Sequence, residues 1–146
     1  MAFTGDFMCD SFLKELLEGL HNFTSGGDDM SIALYTNSAS FTAATTAYTA
    51  SNEITGTAYV AEGESLTKIN PSIPGSNTAF TDFVDEVWST ATFTARGAMI
   101  YNETAAGDES VIILDFGGDK TATAGDFTVQ FPAADVSNAI IRLVGP

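Results

Sequence analysis

The feature that most constrains this chain is a change of hydrophobic period at Asp29. Before it, one segment repeats at the helical period. After it, apolar residues recur at every second position, between clusters of Gly, Asp and Asn. A helix needs its apolar residues on one stripe of a 3.6-residue turn, whereas a strand sends alternate side chains to opposite faces. The chain is therefore expected to be mainly β with one N-terminal helix.

Phe12, Leu13, Leu16, Leu17 and Leu20 form the helical stripe. The helix is expected over about residues 10–22, with Asp10 or Ser11 capping its start and Asn22 closing its end. His21 falls where a helix C-terminus favours positive charge. Ser25-Gly26-Gly27-Asp28-Asp29 then breaks the chain. A helix this short is marginal alone in water, so its stripe has to dock. The target is either the domain's own sheet or another protein, through Phe12, Leu16 and Leu20.

The β body is expected over about residues 30–144. Strands are read at Ser31–Thr36, Thr57–Ala61, Glu64–Ile69, Thr78–Phe83 and Val87–Thr94. Further strands are read at Ala98–Tyr101, Val111–Leu114, Asp126–Phe131 and Ala139–Val144. Pro71 and Pro74 stop the third of these, and Gly117-Gly118-Asp119 breaks the chain after Leu114. Within Val87–Thr94, Trp88, Thr90, Thr92 and Thr94 alternate with Val87, Ser89, Ala91 and Phe93, which makes one face Thr-rich. Val111–Leu114 is apolar throughout, as in a central strand covered on both faces. Ser38–Ser51, rich in Thr, Ala and Ser, carries no assignable pattern. Short strands at this spacing predict an antiparallel β-sandwich or jelly-roll-like fold in one domain, residues 1–146.

Charge narrows the function. Lys and Arg total 5 against 19 Asp and Glu, a net charge of −14. Such a surface repels phosphate, so neither nucleic acid nor an anionic membrane is an expected partner. The N-terminus carries Asp6 and Asp10 without a basic start, unlike a secretory signal. No apolar run approaches about 18 residues, the length of a membrane-spanning helix. With a single cysteine, Cys9, no internal disulfide can form.

Motifs for chemistry are weak. Zinc needs several His or Cys ligands, and the chain has one of each. Cys9 and His21 lie twelve positions apart along one helical segment, too far for a nucleophile–base pair; Cys9 reads as a small buried residue. Asp115-Phe116-Gly117 has the form of a kinase metal-binding triplet, but no phosphate loop or catalytic loop accompanies it. It reads as a strand end entering a Gly turn. Gly27-Asp28-Asp29 has no companion motif. Asp82, Asp85 and Glu86 form an acidic cluster that reads as a solvated loop, with weak calcium binding as the alternative. No catalytic residue, metal or cofactor is expected.

The order of segments carries more than any one of them. FLKELLEG (Phe12–Gly19) is followed by IALYT (Ile32–Thr36) and EITGTAY (Glu53–Tyr59). ARGAMIYN (Ala95–Asn102), LDFGGDK (Leu114–Lys120) and GDFTVQFP (Gly125–Pro132) complete the series. This arrangement resembles a family of small virion proteins encoded by tailed phages, many of them phages of marine bacteria. The resemblance covers nearly the whole chain. It implies a non-enzymatic particle component assembled in the bacterial cytoplasm, with no catalytic site to carry over. It further implies a capsid decoration or cement protein on the particle exterior, bound to the major capsid protein and self-associated into an oligomer. The alternative is a minor tail or fibre-associated protein that contacts the host. An exposed aromatic patch at Tyr59, Trp88 and Phe93 would mark that alternative, whereas the same residues inside the core would not.

Overall fold

The structure is a computed structural model, and it describes residues 3–75 and 77–146. It is mainly β, with two antiparallel sheets and one short helix, as the periodicity predicts. In chain order the elements are β1 (Phe7–Met8), α1 (Asp10–Glu18), β2 (Met30–Tyr35), β3 (Glu64–Ser65) and β4 (Lys68–Ser72). β5 (Thr78–Phe83), β6 (Glu86–Asn102), β7 (Glu109–Val129) and β8 (Ile141–Val144) follow. One sheet has the order β1-β7-β6-β2-β3 and the other β4-β5-β8.

The strand count hides a different division of the chain. The expected strands at 87–94 and 98–101 are one 17-residue strand, β6. Those at 111–114 and 126–131 are one 21-residue strand, β7, which ends at Val129. Together they form a long hairpin that spans the molecule. Ala95-Arg96-Gly97 makes no turn, because the pairing with β7 continues on both sides of it. Gly97 lies so close to the Leu114 carbonyl and the Phe3 ring that a Cβ would overlap both. Gly117-Gly118-Asp119 does not end the strand. The ladder instead jumps from Gly97↔Asp115 to Ala95↔Lys120, and the extra β7 residues form a bulge in which Gly117 has φ +72°.

Bulges also reset which side chains point inward. Between Trp88↔Phe127 and Ala91↔Gly125, β6 holds one residue more than β7, and Thr90 takes φ +55°. The phase slips by one, so Trp88 joins Ala91, Phe93 and Ala95 on the buried face while Val87 is exposed. Strict alternation had put Trp88 with the threonines. The Thr-rich outer face remains, with Thr92, Thr94, Thr121 and Thr123 exposed.

Val111, Ile112 and Ile113 are buried in a strand with neighbours on both sides, as the apolar run predicts. The expected strand at 57–61 is instead part of a loop, joined to the sheet by a single bridge, Thr57↔Thr92. Ala58 within it and Glu62 just after it have positive φ, which regular strand geometry forbids. Glu64–Ile69 divides between the two sheets as β3 and β4. Pro71 sits inside β4, which is an edge strand where its missing N–H costs no ladder bond.

Candidate interaction surface

Helix α1 is shorter than its hydrophobic stripe. Cys9, not Asp10 or Ser11, is the N-cap residue, and no side chain bonds the first turn. The segment is held by its neighbours: the Cys9 N–H donates to the Val111 carbonyl and the Asp10 N–H to the Ala43 carbonyl. Gly19, rather than Asn22, ends the helix. It takes φ +76°, its N–H donates to the Leu16 carbonyl, and the Leu20 N–H donates to the Glu15 carbonyl, the two bonds of a Schellman cap.

The stripe therefore divides. Phe12 is fully buried, 5.1 Å from the His21 ring and 6.0 Å from Phe23. Leu16 is half-buried. Leu13 and Leu17 turn outward, Leu17 to 90% exposure, and Leu20 lies beyond the helix end at 41%. The helix docks on its own body through Phe12 and Leu16. Of the three residues read as partner-binding, Phe12 faces inward, while Leu16 and Leu20 border solvent.

His21 is a strut between α1 and β6. Its Nε2 lies 3.0 Å from Glu15 Oε2 and its Nδ1 3.0 Å from Asn102 Nδ2. Asn102 Oδ1 accepts from the Thr104 and Ala105 N–H groups, which orients the amide nitrogen toward His21 and toward Asp28 Oδ2, 2.9 Å away. Because that nitrogen only donates, His21 Nδ1 accepts and its Nε2–H donates to Glu15. This link was not legible in the sequence. His21 and Asn102 are 81 positions apart, and a lone histidine after a helix gives no sign of its partner.

Other residues singled out for chemistry are also built into the scaffold. Cys9 is buried and free, as its reading predicts. Asp115 pairs with the Arg96 guanidinium and accepts from the Gly5 and Gly117 N–H groups. Burial pushes its carboxyl up, but the Gly117 N–H, Arg96 and the Gly5 N–H outweigh that and hold it below the ordinary carboxylate range. Asp82 is not in a solvated loop. It is buried on β5, where its carboxylate accepts from the Phe83 N–H at 2.8 Å and the Ile140 N–H at 3.2 Å. Burial pushes its carboxyl above the ordinary range despite those bonds. Asp85 accepts from the Phe131 N–H, and Glu86 begins β6. Among the described residues no cluster of three or more His, Cys, Asp or Glu is placed to hold a metal ion.

Trp88 and Phe93 are 2% and 6% exposed, and Tyr59 is half-buried over them, so these residues fill the core rather than form a surface patch. The clasp above them was missed by sequence reading. Glu53 accepts from the Tyr48 and Tyr59 hydroxyls, both at 2.6 Å, and from the Glu62 N–H at 2.7 Å. The Tyr59 oxygen in turn accepts from the Leu34 N–H at 2.9 Å. Burial, then the bond to Glu53, push the Tyr59 phenol far above its ordinary value.

Part of the surface is apolar. A groove of about 420 Å³ runs between α1 and the β4-β5-β8 sheet. Leu16, Phe23, Pro71, Phe80, Ile141 and Leu143 contribute most of its apolar wall. Leu17 on α1 and Leu20 just beyond it are exposed, and Val144 is exposed on the face of β8 opposite the groove. A second cleft, about 450 Å³, lies at the β7 bulge beside Asp115, Phe116 and Lys120. Comparison with models of known protein families, with curated proteins and with solved structures finds no match to this chain.

Proposed function

We propose that this chain is a non-enzymatic structural component of a tailed-phage virion, a decoration or cement protein on the outside of the capsid. The ordered segments from FLKELLEG to GDFTVQFP support the virion reading. The net charge of −14 favours the exterior, away from packaged DNA. The observation that carries the non-enzymatic part is how the polar side chains are used. His21, Glu53, Asp82 and Asp115 each accept or donate within the scaffold, while the groove beside α1 presents apolar surface outward. A part that docks on other proteins needs that apolar surface and needs no pocket of free acids and bases. Its partners are the major capsid protein and further copies of itself.

Immunogold labelling of phage particles whose genome encodes the chain tests this. Gold over the heads is the expected result. Gold confined to tails or tail tips would replace it with the minor tail or fibre-associated reading, and particles without label would overturn both.

A further inference from the structure

The three-stranded sheet ends on β8, and among the described residues no strand pairs with its outer edge. Among the described residues, Arg142, Leu143 and Val144 make no backbone hydrogen bond outside the ladder to β5. Leu143 and Val144 are 54% and 71% exposed. An edge of this kind offers alternate N–H and C=O groups to another strand. The only charge on it, Arg142, is turned back onto its own chain, where Nη1 donates to the Ser137 carbonyl at 2.5 Å.

We propose that two copies of this chain pair edge to edge through β8, antiparallel about a twofold axis at Leu143. This deepens the reading of a many-copy particle protein and rests on it for its purpose, though not for its geometry. The pairing joins two three-stranded sheets into one of six strands.

Three observations favour a second copy as the occupant. First, β8 is self-complementary. With the axis at Leu143, leucine meets leucine, and each Arg142 lies across from Val144 of the second copy, so no like charges face each other. Second, none of the residues lining the adjoining groove is Asp or Glu, in a chain with 19 of them. Two strongly acidic copies repel least at such a face. Third, area requires more than the strand. A specific contact buries about 800 Å² per partner, more than four paired residues supply. Ile141 and Leu143 line the groove together, on the α1 side of β8. The twofold therefore brings both grooves and both sets of exposed helix leucines to one face of the joined sheet.

Sedimentation velocity on the full chain is the first test. The expected species has twice the 15.3 kDa chain mass at micromolar concentration. Leu143→Lys places two ammonium groups at the axis and is expected to weaken the dimer by at least about tenfold, with an unchanged circular dichroism spectrum. Leu143→Cys is expected to form a covalent dimer on mild oxidation, since the native Cys9 is buried. Val60→Cys, at an exposed position in the loop before β3, should not. A monomeric wild type, a dimer indifferent to Leu143→Lys, or equal cross-linking at the two positions would overturn the proposal. A chain that dimerises but is missing from particles overturns the virion reading alone. A monomer that labels heads overturns the dimer alone.

Discussion

The two ends of the β6–β7 hairpin are made by the same pair of strands but held by different means. At the turn end, Gly97–Asn102 and Glu109–Asp115 have β2 on one side and β1 on the other. There the buried apolar residues are mostly aliphatic, Met99, Ile100, Val111, Ile112 and Ile113, with Tyr101 the one buried aromatic. At the open end, among the described residues, Glu86–Ala95 and Lys120–Val129 pair only with each other, apart from the Thr57↔Thr92 bridge. A two-stranded ribbon has too little surface to form a core from aliphatic side chains. Here the largest buried side chains are aromatic, Trp88, Phe93 and Phe127, at ring separations of 4.9–6.3 Å, and small residues such as Ala91, Ala95 and Ala122 fill in between them. The loop pinned by Glu53 closes over them. The outer face is left to threonines, of which Thr94 and Thr121 hydrogen-bond at 2.7 Å.

Breaking the turn end should have the largest effect. Ile100→Ala removes a fully buried side chain with strands on both sides, and is expected to cost about 2–5 kcal/mol in denaturant unfolding. All probes of the fold should lose structure together. At the open end, Glu53→Gln leaves one neutral oxygen where two carboxylate oxygens received three donors. The expected loss is about 1–3 kcal/mol. Hydrogen exchange should rise first across residues 54–63 while Met99 and Ile113 stay protected, and uniform exchange across both ends would erase the distinction.

Trp88→Phe sharpens the comparison with a smaller effect. Among the described residues Trp88 Nε1 is buried without a hydrogen-bond partner, so the exchange removes an unmet donor along with some packing volume. The net change should stay within about 1 kcal/mol, against the larger losses usual for shrinking a core aromatic.

The smallest effect is one of sign. Asp82 has a folded pKa raised by burial above the ordinary 3.8. Its contribution to stability is present below the unfolded value and is lost as pH rises through the folded one. Asp115, at the joint between the hairpin's two ends, is held below 3.8. Its contribution is present above the unfolded value and is lost as pH falls through the folded one. Asp82→Asn should therefore gain on wild type as pH rises through the acid range, and Asp115→Asn should lose. Parallel slopes for the two variants in pH-dependent unfolding would contradict one of the two environments.

Fold class was legible because it depends on local period. Phe12 and Leu16 mark a helix, and Val111–Leu114 marks a central strand. The division of strands was not legible. Gly117-Gly118 permits a turn and a bulge equally well, and only the ladder that resumes at Lys120 selects the bulge. Trp88 lay on the wrong face in the sequence reading because one extra residue at Ser89–Thr90 shifts the alternation, and alternation carries no mark of that residue. The partners of the buried polar groups were hidden for a related reason. His21 with Asn102, Asp82 with Ile140 and Arg96 with Asp115 meet between segments apart in the chain, and side-chain type states what a group can bond but not what will lie beside it. The sequence by itself determined a mainly β chain with one helix, strong negative charge and a surplus of apolar residues. The tertiary structure decided which leucines of the stripe are core and which are surface, since burial of Phe12 and exposure of Leu17 depend on where the helix stops and what it rests on.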